Sequence, residues 1–265
     1  MDDTPLRIKI YTRSLNRALY NRAMYLLDLP YPKVRLTNTT ADGYLYQIIQ
    51  DEEADIVINI DEDAFVFDLN RLNELIKFMI ENDYANCGMP DGGIVQIRHL
   101  NPLVTNPYFN VFNVREIRKK FRSFDINTYS SHKDNYMNNY PTHILKGAYE
   151  FVYYEPYYPL FVWMSQNFKT LYLDAEEHTD HYSTSLKNHL GKPFLVHTWY
   201  SRLYNVDKAQ TNRINDAIHY CEKYCGRTYN PSIKELISTT SNSYFYQIKS
   251  DLIKIKRKIF GLKIN

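Results

Sequence analysis

The chain has 265 residues, 44% of them hydrophobic and 23% charged, with a formal net charge of +2. That length supports one large or two small domains with a real core, and the near-neutral charge gives no general reason to expect nucleic acid as a partner. No apolar stretch approaches the roughly 18–20 residues that span a bilayer, and Met1-Asp-Asp-Thr-Pro5 does not read as a signal peptide. The three sparse cysteines, Cys87, Cys221 and Cys225, fit a reducing compartment better than a disulfide framework, so a cytoplasmic protein is expected. Tyrosine is abundant, at 25 residues, and suits sugar-binding surfaces by offering an apolar ring with a hydroxyl.

The first half alternates between strand and helix signals. Leu6–Thr12 reads as a strand, Asn16–Leu27 as a helix ended by Pro30 and Pro32, Lys33–Thr37 as a second strand and Ala41–Asp51 as a short helix. Ile56, Val57, Ile58 and Ile60 form a third strand whose β-branched residues suit burial on both faces. Leu72, Leu75, Ile76, Met79 and Ile80 then repeat at helical spacing behind Asp68, a candidate N-cap. Such alternation predicts a mainly parallel sheet covered on both faces.

Beyond Tyr84 the pieces shorten. Gly88-Met-Pro-Asp-Gly-Gly93 reads as a tight loop, Ile94–Arg98 and Tyr108–Val114 as strands, and Val114–Phe121 as a basic helix. Residues 122–148 have no period and read as a long surface loop. Pro159–Phe168 reads as a helix, Thr170–Leu173 and Phe194–Val196 as strands, and Trp199–Tyr224 as a longer helix. The polar run Ser238–Ser243 reads as a linker into a tail. There Leu252, Ile255, Ile259 and Leu262 recur at helical spacing among Lys254, Lys256, Arg257, Lys258 and Lys263. A basic amphipathic helix of this kind lies either on the protein body or on an anionic membrane surface.

The third strand stops on Asp61-Glu-Asp63, at the carboxyl end where open α/β sheets bind ligands. On an extended chain Asp61 and Asp63 point the same way and Glu62 points away. Two convergent carboxylates suit a hard divalent cation, Mg²⁺ or Mn²⁺, sharing its remaining positions with phosphate oxygens. The bland alternative is a solvated acidic turn.

A short Rossmann-like half followed by an apolar strand running into Asp-x-Asp resembles the nucleotide-sugar domain of GT-A glycosyltransferases. The strings Ile60-Asp-Glu-Asp-Ala-Phe-Val66, Gly88-Met-Pro-Asp-Gly-Gly93, Asn106-Pro-Tyr-Phe-Asn110 and His197-Thr-Trp-Tyr-Ser-Arg202 are similar to those of bacterial and viral glycosyltransferase-like proteins. The resemblance covers roughly residues 6–205. It implies an α/β, GT-A-like fold with a Rossmann-type, mostly parallel central sheet flanked by helices and a more irregular acceptor half. It further implies one catalytic domain over residues 1–238, divided into a nucleotide-sugar half (1–113) and an acceptor half (114–238), with 239–265 as the tail.

The activity implied is metal-dependent transfer of a sugar from a nucleotide-diphospho-sugar, such as a UDP- or GDP-sugar, to a saccharide or glycolipid acceptor. The resemblance assigns the metal to Asp61 and Asp63, with His197, after the apolar Phe194–Val196, as the third ligand. The crevice rule for open sheets puts Thr12 and Arg13 after the first strand, Asn38 after the second and Asp42 and Tyr44 at the next helix start around the nucleotide-sugar, joined by Asp61, Glu62 and Arg202. Candidates for the base acting on the acceptor are Asp91 in its glycine-rich loop and Asp174, Glu176 and Glu177 beyond Leu171–Leu173, while Glu150 and Glu155, among tyrosines, suit the binding of sugar hydroxyls. The rivals are a carbohydrate-binding protein with a decayed acidic site and a haloacid-dehalogenase-type phosphatase. The second is disfavoured, because its motif belongs on the first strand and the chain shows no matching later Lys and paired Asp.

Overall fold

A computed structural model describes residues 5–133, 135–136 and 141–259. Six strands make the central sheet: β1 (Ile8–Arg13), β2 (Lys33–Leu36), β3 (Ile56–Ile60), β5 (Tyr84–Gly88), β6 (Phe109–Asn113) and β7 (Lys169–Tyr172). Their order is β2-β1-β3-β6-β5-β7, and only β6 runs against the others. A second sheet, wholly antiparallel, has the order β4-β10-β9-β8, with β4 at Ala64–Val66, β8 at Ala175–Glu177, β9 at Thr184–Lys187 and β10 at Pro193–His197. The fold is therefore α/β with a mostly parallel central sheet flanked by helices.

The helices α1 (Arg17–Leu26), α3 (Leu69–Glu81) and α6 (Lys208–Cys225) pack with the second sheet into one apolar layer. On the other face α2 (Gly43–Gln50), α4 (Val114–Phe121) and α5 (Tyr158–Asn167) build another around Trp163, Phe161 and Tyr44. Strand β3 explains the continuous apolar run. Ile56, Ile58 and Ile60 enter the first layer and Val57 the second, and every residue of the strand is buried.

Local chemistry sets several boundaries. The Asn16 side chain caps α1 by accepting the Leu19 N–H, Asp68 caps α3 through Arg71, and Asp207 caps α6 through Gln210. Three predicted elements differ. The strand over Ile94–Arg98 is instead a loop ending in a 3₁₀ turn at Gln96–Arg98, while the strand pairing in this region is β5. The helix from Trp199 begins only at Lys208, because Trp199 and Tyr200 adopt left-handed backbone (φ 58° and 60°) that no α-helix continues. The linker at Ser238–Ser243 lies inside α7 (Ile233–Ile259), whose start is set by a capping box. In it the Glu235 N–H donates to Ser232 Oγ (3.3 Å) and the Ser232 N–H to Glu235 Oε2 (2.6 Å). Of the predicted tail helix, Leu262 and Lys263 lie outside the described residues.

Candidate metal centre

The acidic motif sits where the chain passes from one sheet to the other. After β3 the Ala64 N–H donates to the Asp61 carbonyl (3.2 Å), closing a turn over Asp61–Ala64, and the chain enters β4. The carboxylates of Asp61 and Asp63 converge as expected, but by this turn rather than by alternation along an extended strand. Backbone clamps hold both ends. The Asp61 N–H donates to the Tyr108 carbonyl (2.8 Å), and Thr198 donates its N–H (2.9 Å) and Oγ1 (3.2 Å) to the Asp63 carbonyl.

His197 closes β10 directly opposite Ala64. One ligand atom from each of Asp61, Asp63 and His197 falls within 4.8 Å of the others. His197 Nε2 is 3.3 Å from Asp63 Oδ1, whereas its Nδ1 is buried with no hydrogen-bond partner. The imidazole stacks nearly parallel on Tyr108 at 4.1 Å and lies against Trp199 at 4.1 Å, so its orientation is fixed by packing. Two carboxylates and an imidazole nitrogen form a mixed oxygen and nitrogen donor set in which the acids suit Mn²⁺ or Mg²⁺ and Nε2 is the ring nitrogen that faces them. The donors present therefore fit a divalent ion.

Electrostatics point the same way. Burial pushes Asp61 up to about 6, with Arg13 opposing, Asp63 adding to the rise, and His197 and Arg202 opposing it. A cation at this point offsets the cost of holding two acids together out of water. Arg13, whose guanidinium lies 5.3 Å from the Tyr44 ring centre, is held charged against burial by Asp61, Tyr44, Tyr157 and Glu62. Arg202 is exposed, 4.3 Å from the ring centre of Tyr246.

The remaining predicted positions divide sharply. Tyr44 is buried beneath Arg13, and Thr12 is fully buried at the end of β1 with an unpartnered hydroxyl. Asp42 precedes α2 without capping it, and Asn38 is exposed with left-handed backbone (φ 58°). Glu62 is a correction. Its side chain leaves the site, is 5% exposed, and accepts bonds from Ser14 Oγ (2.7 Å) and the Asn16 N–H (2.5 Å). It ties β3 to the loop before α1.

Asp91 is a second correction. It is wholly buried and accepts bonds from Asn106 Nδ2 (2.6 Å) and the Tyr158 hydroxyl, with Arg98 3.6 Å away. A carboxylate so engaged has no face left for an acceptor hydroxyl. Nor do Gly92 and Gly93 admit a ligand. A Cβ on Gly92 would meet the Arg98 carbonyl oxygen at 2.3 Å, and one on Gly93 the Met89 sulfur at 2.0 Å, so the loop's own packing needs both glycines.

Asp174 is half-buried and ion-paired to Lys146 (2.5 Å) and Lys187 (3.3 Å), which, with hydrogen bonds from both, hold its carboxyl below the usual range despite burial. Glu177 is exposed and paired with His181 Nδ1 (2.8 Å). In register Glu177 faces Thr184, and Thr184 faces His197, so Glu177 shares the face of His197 from two strands away, about 10 Å.

Sequence reading did not anticipate the aromatic vice of Tyr108 and Trp199 around His197, nor the grip of Tyr158 and Asn106 on Asp91. No spacing rule signals either, since both join segments distant in the chain. Arg98 also matters more than its neighbours. It stands between Asp91 and the Trp199 ring (5.6 Å), and half-buried Glu155 lies in the field of Arg98, Asp91, Arg13 and Arg202, its carboxyl raised chiefly by burial. Arg118, in contrast, is spent on the carbonyls of Asp51 (2.6 Å) and Ala54 (2.8 Å).

No family model matches the sequence, and no curated protein does. Among solved structures, the fold is similar to mannosyltransferase PcManGT from Pyrobaculum calidifontis, solved in complex with GDP-Man and Mn²⁺, at 11% identity and TM-score 0.35. That match covers 52% of each chain, so the likeness spans about half the length of the enzyme. It is also similar to A197 from STIV, at 12% identity and TM-score 0.40, over 72% of this chain and 94% of that one. Similarity at this level says nothing of activity.

Proposed function

We propose that the protein is a divalent-metal-dependent glycosyltransferase, hexosyltransferase-like, that uses a nucleotide-diphospho-sugar donor and a saccharide acceptor, free or lipid-linked. One observation carries this reading: Asp61, Asp63 and His197 converge at the carboxyl end of β3, with Arg13 and Arg202 acting on the same carboxylate from the flanks. Bound there, Mn²⁺ or Mg²⁺ would supply Lewis acidity toward the leaving diphosphate. Asp61 and Asp63 would hold the ion, and His197, locked by Tyr108 and Trp199, would complete the set. Arg13 and Arg202 suit the diphosphate oxygens, since a guanidinium fork pairs well with phosphate.

Glu155 takes over from Asp91 as the acid proposed to accept the proton of the acceptor hydroxyl. It is half-buried with its carboxyl raised, and it sits among the same arginines that face Asp61. The free state of Cys87, Cys221 and Cys225 supports the cytoplasm as the working compartment.

The test is thermal stabilisation by UDP and GDP with and without Mn²⁺, followed by donor hydrolysis across a panel of nucleotide-sugars. Stabilisation that requires both nucleotide and metal, and is lost in Asp61→Asn/Asp63→Asn without a fall in the unliganded melting temperature, is the expected result. A double variant that hydrolyses donor at the wild-type rate refutes the site. A carbohydrate-binding protein would instead respond to glycans without metal.

A further inference from the structure

Helix α7 has two faces with different fates. One is docked on the body. Thr239 is fully buried, donates its hydroxyl to Asn16 Oδ1 (2.9 Å) and accepts the Ala18 N–H (3.1 Å). Asn242 Nδ2 donates to the Leu15 carbonyl (3.1 Å), Ser243 is buried, and the Tyr246 ring meets Arg202. The helix is thereby fastened to the loop that carries the partners of Glu62 and to a residue at the mouth of the candidate metal centre.

The other face is bare and apolar. Ile237, Tyr244, Ile248, Leu252 and Ile255 stand at spacings of seven, four, four and three residues, which places them on one stripe of an α-helix. They are 61%, 50%, 59%, 59% and 53% exposed, with Phe245 beside them at 69%. A stripe this long on a helix otherwise anchored to the protein is more than scattered surface hydrophobes. No helix among the described residues is long and apolar enough to cross a membrane, so the stripe is not part of a span.

Charge selects the occupant. Lys249, Lys254, Lys256, Arg257, Lys258 and Lys263 stand against Asp251 alone, giving residues 249–265 a net charge of +5. Since the whole chain carries +2, residues 1–248 carry −3. Pairing two copies along this stripe would bring two such basic segments together, whereas an anionic bilayer covers the apolar stripe and neutralises the lysines at once. We infer that α7 is a membrane-surface helix, lying in the headgroup region of an anionic bilayer with the loop that anchors Glu62 fastened to its opposite side. This goes beyond the sugar-transfer reading and does not need it.

The experiment is co-sedimentation of the full chain with vesicles of phosphatidylcholine alone and with a large fraction of phosphatidylglycerol, at low and high salt, with the mass in solution taken by light scattering. Binding is expected only to the anionic vesicles and should weaken with salt. Each basic residue near the surface contributes about fivefold in partitioning, so Lys254→Gln/Lys256→Gln/Lys258→Gln should lose about a hundredfold. Ile248→Ser/Leu252→Ser/Ile255→Ser should also lose at least about tenfold, with the melting temperature unchanged because all three residues are exposed. The inference is overturned by no sedimentation with anionic vesicles, by equal binding to neutral ones, or by a lysine variant that partitions like wild type. It is equally overturned by a doubled mass without vesicles that the serine variant abolishes, since a second copy would then be the occupant. Metal-dependent nucleotide binding is read separately, so either idea can fail alone.

Discussion

Replacing Asp91 by Asn separates a structural carboxylate from a catalytic one. Asp91 gathers three donors: Asn106 Nδ2 at 2.6 Å, the Tyr158 hydroxyl, and Arg98 at 3.6 Å. An asparagine keeps the shape, but with its oxygen held by Asn106 it turns an NH₂ toward the Tyr158 hydroxyl, so that donor loses its acceptor and Arg98 its charge partner inside a fully buried site. At about 1–3 kcal/mol for each buried group left unsatisfied, with the smaller value for half-exposed Arg98, the loss should be about 3 kcal/mol. For a protein of this size that is a fall of roughly 6–12 °C in melting temperature. The assay is thermal unfolding followed by circular dichroism, paired with metal-dependent nucleotide binding at about 15 °C, below the lowered transition expected from that shift. Binding within about threefold of wild type, well under a tenfold change, is expected there. A variant with an unchanged melting temperature and abolished sugar transfer would refute the structural role and return Asp91 to the list of bases.

Two further outcomes test the loop and α7. Gly92→Ala puts a methyl group onto the Arg98 carbonyl at 2.3 Å and asks a residue with a side chain to hold φ +91°, so stability should fall by about 3 kcal/mol in a chemical denaturation curve; a loss under about 1 kcal/mol would mean the loop relaxes freely. Glu235, bonded to Ser232, Tyr229 and Asn21, has its carboxyl drawn down to about 2. A depressed carboxylate stabilises the fold above its unfolded value near 4.5 and loses that contribution as pH falls toward 2. Discounted for its partial exposure, the contribution should be about 1–2 kcal/mol, so Glu235→Gln should be less stable than wild type at pH 7 and equal to it near pH 2; equal stability at both would remove Glu235 as the anchor of α7.

Much of the central sheet was legible because its strands are buried on both faces and its helices carry periodic apolar stripes. The run Ile56–Ile60 and the cap at Asp68 follow from local pattern, whereas Asp61 and Asp63 meet through a turn that strand alternation does not foretell. Glu62 shows where such pattern ends. Its turn away from the other acids was readable, but its destination in the β1–α1 loop depends on Ser14 and Asn16, more than forty positions earlier in the chain. The second sheet was missed for the same reason, since β4 and β8 are three residues each and exist only by pairing with β10 and β9. Trp199 looked helical because its neighbours are helix-compatible, yet its indole donates to Thr184 Oγ1 (2.9 Å) and its left-handed backbone breaks the run. The start of α7 was there to be found in Ser232-Ile-Lys-Glu235, a capping-box spacing overlooked in favour of the polar run that follows.

Because β6 alone runs backward, the stretch from Met89 to Tyr108 leaves and rejoins the sheet at the same rim, and its last carbonyl receives the Asp61 N–H. Its middle is pinned by Asp91, Gly92 and Gly93, and Tyr108 at its end both receives Asp61 and walls His197, so a change of length in this stretch is felt at the carboxylates as a shift in their spacing.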